Sequence, residues 1–194
     1  MRYVIASIFS CFLLASHAGA STGITLLLQF DNKHSDLSVQ EMKREISAIM
    51  KNTGLVLDFR SLSDFNPNEA VSDLVVVKFR GSCQMEPAPM LYDERGPLAF
   101  THSTDGAVLP FSEVECDRVR HSVESAMWGG DRARADVLLG RALGRVLAHE
   151  LVHIVAKSGK HGTKGVAKTS LSGGQLIADR LELDTHDIAR LRSH

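Results

Sequence analysis

Asp131 to Ser158 reads DRARADVLLGRALGRVLAHELVHIVAKS, and the way this stretch coils decides how the rest of the chain is read. Val137, Leu138, Ala142, Val146 and Leu147 recur at helical spacing, and Gly159 is a natural stop. The pattern predicts one long helix over about 131–158. His149 and His153 are four residues apart on it, so both side chains leave the same face one turn apart. Glu150 flanks that face without pointing along it.

Two imidazoles so placed suit two corners of a tetrahedral zinc ion, Zn2+, whose catalytic sites usually have three protein ligands and one open position. Zinc lowers the pKa of its bound water to about 7, and a carboxylate beside the ligand face, here Glu150, can address that water rather than the metal. His161 is the expected third ligand. It follows His153 by eight residues in Ser158-Gly159-Lys160-His161-Gly162, a turn with glycines on both sides that can bring an imidazole under the helix end. A carboxylate from a later element, Asp179 or Glu182, is the rival third ligand.

Upstream, Ile24 to Phe30 reads as a buried strand. Ser38 to Asn52 reads as a helix, with Asp36 and Ser38 where a cap belongs. Leu55 to Phe59 and Leu74 to Phe79 read as strands. Gly81 to Pro97 is irregular. Leu98 to His102 and Ala107 to Phe111 look like a hairpin around Asp105-Gly106, a common turn pair. Its edge offers a place for an extended peptide, although ordinary sheet structure accounts equally for the residues. Ser112 to Met127 reads as a helix ending at Gly129-Gly130, with Trp128 packed at its end. His161 to Gly174 reads as loop, and Asp184 or Thr185 caps a last helix to about Arg192. The fold class this implies is α+β: a small twisted mixed sheet with packed helices, the active-site helix of about 131–158 crossing beneath.

Residues 1–20 read as a secretory signal peptide, with an uncleaved membrane anchor as the alternative, and 21–194 as one domain. Arg2 gives a positive start, Tyr3 to Ala15 is an almost unbroken apolar run, and Ala18-Gly19-Ala20 offers a small-residue cleavage site. A secreted or periplasmic product is expected, with no stable membrane association after cleavage. Few residues separate Ala20 from the first strand, so no inhibitory pro-segment is expected. Loss of Arg2 takes the net charge from −1 to −2, which excludes the strong basic bias that nucleic-acid binding needs. Cys11 leaves with the leader, and Cys83 and Cys116 remain as an even pair suited to a disulfide in an oxidising compartment. Lys157, Lys160, Lys164 and Lys168 form a basic rim, read either as a preference for acidic groups or as a solvated loop. His102 reads as a solvated turn residue, with reach to a substrate as the alternative, and His186 and His194 as surface.

His149-Glu150-Leu151-Val152-His153 with His161 resembles the metzincin-like zinc peptidases, a known His-Glu-x-x-His pattern. It is most similar to short exported bacterial zincin-like proteins with a longer second-to-third His interval. Those read His-Glu-x-Gly-His, a helix-ending Gly, a third His and then Gly-aliphatic-Met. The likeness covers His149 to Ala167. It implies a zincin-like fold, His149, His153 and His161 as zinc ligands, Glu150 as general base, and a peptide or protein substrate. The chain departs from the pattern at Val152, where Gly is frequent, and at Ala156, the usual metzincin glycine position. Gly165-Val166-Ala167 stands in place of Gly-aliphatic-Met, and no methionine follows His161. That departure bears on turnover more than on metal binding. The expectation is therefore a secreted zinc metallopeptidase, a hydrolase. Its rivals are a catalytically inactive zinc-holding interaction module and a purely structural exported domain.

Overall fold

A computed structural model describes residues 22–71, 73–86 and 96–193. The expected leader, Cys11 within it, and His194 lie outside those residues.

β1 (Thr22–Phe30) is an inner strand. Ile24 to Leu28 are all buried, without alternation, as happens when both faces of a sheet are covered. β2 (Leu55–Ser61) and β3 (Asp73–Arg80) run parallel on either side of it. β5 (Ala107–Glu115) pairs parallel with β3, and β4 (Ala99–Thr104) pairs antiparallel with β5 to form the edge, giving the order β2-β1-β3-β5-β4. A five-stranded mixed sheet with helices packed on it is the α+β class expected.

The β4–β5 hairpin turns at Asp105 and Gly106, with φ of 50° and 80°. Two positive φ values in succession match the twist of the flanking strands. The register then slips between Thr101 and Ser103, opposite a stretch of β5 that contains Pro110, which has no N–H to offer a ladder. β5 also runs further than the sequence suggests. Ser112 to Glu115 were expected to be helical but pair with Val77 to Arg80 of β3, and sheet contacts outweigh local propensity. α2 (Cys116–Ala126) therefore starts at Cys116, which is bridged to Cys83 with a Cα separation of 5.0 Å. This disulfide ties the segment after β3 to the first turn of α2.

α1 (Asp36–Met50) is capped by Ser35, whose side chain accepts from the Ser38 N–H. It packs on α3 (Ala135–Val155), the metal helix of the sequence reading. Two glycines permit the close approach. A Cβ on Gly140 would lie 2.4 Å from the Ser38 carbonyl oxygen, and one on Gly144 2.8 Å from the Met42 carbonyl oxygen. Arg145, fully buried, locks the pair through Glu45 at 2.7 Å. α3 is shorter than expected: a 3-10 turn over Gly129–Arg134 precedes it, and it ends at Val155 rather than Ser158. Two short helices follow. α4 (Gly173–Ile177) lies partly inside the expected loop, held by a capping box between Ser172 and Gln175. α5 (Thr185–Arg192) is capped by Asp184, as the sequence suggests. Trp128 does not pack at a helix end; it is 83% exposed. Among the described residues no helix is long and apolar enough to cross a membrane.

Candidate metal centre

The end of α3 builds half of the site. Lys157 takes a left-handed conformation at φ 46°, its N–H bonds to the Ile154 carbonyl at 3.2 Å, and the Ser158 N–H bonds to the His153 carbonyl at 3.0 Å. This pair of bonds closes a helix in the Schellman manner, although with Lys rather than the usual Gly. The closure turns the Ser158 carbonyl back onto the helix, where it accepts a hydrogen bond from His153 Nδ1 at 2.8 Å. His149 is fixed in the same way, with Nδ1 2.9 Å from the Val166 carbonyl. Val166 is itself held by its N–H on the Glu182 carbonyl, and Gly162 by its N–H on the Ala167 carbonyl. Gly165 (φ 62°) permits that turn, since a Cβ there would meet the Glu182 carbonyl at 2.1 Å.

These contacts fix the tautomers. A carbonyl only accepts, so Nδ1 of each ring carries the proton and Nε2 presents a lone pair. The two Nε2 atoms face one another at 3.1 Å. Two Nε2 atoms at that distance share either a proton, as an N–H···N hydrogen bond, or a metal ion. Two corners of a zinc tetrahedron with Zn–N bonds of 2.0–2.1 Å are about 3.3 Å apart, close to what is seen. His161 completes the group, its ring centroid 5.1 Å from that of His149 and 4.7 Å from that of His153. Ligand atoms of the three residues lie within 4.8 Å of one another, so the chain's own donors fit a metal ion.

No family model and no curated protein matches this chain. What the site can do is read from its own geometry.

Burial holds the His149 imidazole well below its usual pKa, at about 4, against the raising effect of its bond to Val166; the neighbouring histidines push the same way as burial. His161 is also lowered, by burial first and then by His153. Both shifts favour the neutral ring that ligates a metal. Glu150 is buried, and burial raises its carboxyl pKa, while a hydrogen bond from Thr101 works the other way. Thr101 Oγ1 lies 2.7 Å from Glu150 Oε2 and 2.7 Å from Ser112 Oγ, so β4 and β5 orient the carboxylate through a pair of hydroxyls.

The rival third ligands lie elsewhere. Asp179 is 91% exposed and pairs with Arg141 at 3.2 Å, and Glu182 pairs with Arg180 at 2.9 Å. Of the expected residues, His149, Glu150, His153 and His161 come together, and Asp179 and Glu182 do not join them. His102 is not a simple turn residue. It stacks between Phe100 and Phe111, 3.3 Å from Glu113, and does not belong to the histidine group. Sequence reasoning missed Thr101, Ser112 and the two anchoring carbonyls. The only signal was that Thr101 lies on a strand expected to edge the sheet.

Proposed function

We propose that this chain is an exported zinc-dependent peptidase of metzincin-like, zincin-like type, cleaving peptide bonds with His149, His153 and His161 as metal ligands and Glu150 as general base. The observation that carries the proposal is the convergence of three imidazoles, two of them held at Nδ1 by backbone carbonyls so that their Nε2 atoms meet, beside a buried carboxyl group. A zinc ion held by these residues supplies Lewis acidity and brings a water molecule's pKa to about 7. The residues of the chain do the rest. The Val166 and Ser158 carbonyls orient the two rings, and Thr101 fixes the Glu150 carboxylate. Glu150 takes the proton of the attacking water on its carboxylate and passes it to the leaving amine. The raised pKa of Glu150 suits a group that must both accept and return a proton. Strand β4, at the sheet edge and against α3, provides a ladder for an extended peptide. The mixed sheet with the metal helix packed beside it agrees with the fold that the resemblance implies, and the Cys83–Cys116 bridge with export to an oxidising compartment.

One observation favours a second reading, a zinc-holding module without turnover. Ala167, only 2% exposed, stands where the similar proteins have the methionine that floors their site, so the chain has a smaller side chain at that position. A broad peptide-library digest with zinc-loaded wild type and Glu150→Gln separates the two. Glu150→Gln keeps shape but cannot take the proton, so hydrolysis should fall 10²-fold or more at unchanged metal content. Zinc binding in both proteins with cleavage in neither replaces the peptidase reading by the module.

A further inference from the structure

Of the four lysines in the basic rim, Lys157, Lys160 and Lys164 are exposed, whereas Lys168 is half-buried in the wall of a cavity at the metal centre. The cavity, about 210 Å³, opens beside His149 and Glu150. Leu98, Ala99, Val146 and Leu171 supply apolar lining, and Thr169 and Ser170 lie next to Lys168 along the wall. Such a lining accepts the methylene part of a side chain and leaves polar donors for its tip.

The charge is what singles it out. Arg118 donates to the carbonyl of Pro97, a lining residue, and Arg141 pairs with Asp179 and Arg145 with Glu45. Lys168 Nζ has one partner, the neutral amide oxygen of Gln175 at 2.7 Å, and among the described residues it makes no ion pair. An ammonium has three donors, so among the described residues two are left for a ligand. The one carboxyl group among the described lining residues, Glu150, is hydrogen-bonded to Thr101.

We propose that this cavity binds a carboxylate-bearing side chain, glutamate or aspartate, beside the bond that is cleaved, with Lys168 as its counter-charge and specificity determinant. The inference rests on the peptidase reading for its substrate but not for its chemistry, and two experiments keep these apart. In a library digest, wild type should enrich Glu or Asp at one fixed position next to the cleavage point. Lys168→Arg should keep that preference, Lys168→Met should lose it, and Lys168→Glu should turn it toward Lys or Arg, all at wild-type zinc content. The second experiment needs no turnover. Calorimetry on zinc-loaded protein compares succinate, glutarate and adipate with the monoacids butyrate, valerate and hexanoate of the same chain lengths. At least one diacid should bind about tenfold or more tightly than its monoacid in wild type, and equally in Lys168→Met. A diacid advantage that depends on Lys168, in a protein that cleaves nothing, overturns the peptidase reading and leaves the carboxylate site standing. Cleavage without acidic preference, with diacids and monoacids equal, overturns the carboxylate site and leaves the peptidase reading standing.

Discussion

Gly140→Ala should destabilise the protein although alanine is the better helix former. In an open helix the exchange is worth about 1 kcal/mol in favour of Ala. Here the new Cβ would lie 2.4 Å from the Ser38 carbonyl oxygen and 2.6 Å from Glu41 Cβ, against an ordinary contact that begins near 3.4 Å. Neither neighbour is the far end of a flexible side chain, so α1 and α3 must part by about 1 Å. A gap of that size forfeits roughly a quarter to a half of each contact's attraction, along an interface whose helices bury Met42, Ile46, Leu139 and Leu143. Overpacking of this kind typically costs about 1–3 kcal/mol, and the rigid neighbours argue for the upper end. Set against the propensity gain, the net loss is about 2 kcal/mol, or about 4–8 °C in Tm for a chain of this size. Thermal unfolding followed by circular dichroism measures it, with Gly174→Ala as the control because a Cβ there meets nothing within 4 Å. A Tm for Gly140→Ala equal to or above wild type would show that the helices do not approach as described.

Three further outcomes are expected. Thiol labelling of denatured, unreduced mature protein should find Cys83 and Cys116 blocked, and full labelling would contradict the bridge. Replacing both by Ser opens a loop spanning 33 residues, which the chain-entropy relation values at about 3–4 kcal/mol in urea unfolding. Thr101→Val keeps its shape but removes the hydroxyl 2.7 Å from Glu150 Oε2. Hydrogen bonds to charged groups are worth about 1.5–3 kcal/mol, so hydrolysis should fall roughly ten- to hundredfold at unchanged zinc content. Wild-type activity in that variant would remove Thr101 from the positioning of the base.

The three histidines of the candidate metal centre were legible because their placement is mostly local. A four-residue interval on a helix puts His149 and His153 on one face whatever surrounds it. His161 was within reach because the helix end folds back within eight residues. The structure does bring His161 beside the other two rings, but through a turn made by Lys157 in a left-handed conformation, not by Gly159 alone. What was not legible depends on register between distant segments. Thr101 meets Glu150 only because β4 pairs with β5 and the sheet packs on α3. Ser112 to Glu115 are strand only because β3 lies beside them. Gly140 and Gly144 were a missed signal, since two glycines four apart inside a long helix call for a close neighbour. Trp128 misled because a large aromatic at a helix end suggests packing, yet nothing covers it among the described residues.

The central claim is that three imidazoles hold one metal ion, and zinc stoichiometry on the purified mature protein and its variants tests it most directly. Wild type, Glu150→Gln, Asp179→Ala and Glu182→Ala should each carry close to one equivalent of zinc. His149→Ala, His153→Ala and His161→Ala should each lose most of it, because two ligands remain where three are needed. Wild-type zinc content in His161→Ala, or no zinc bound by the wild type under any loading condition, would contradict the site.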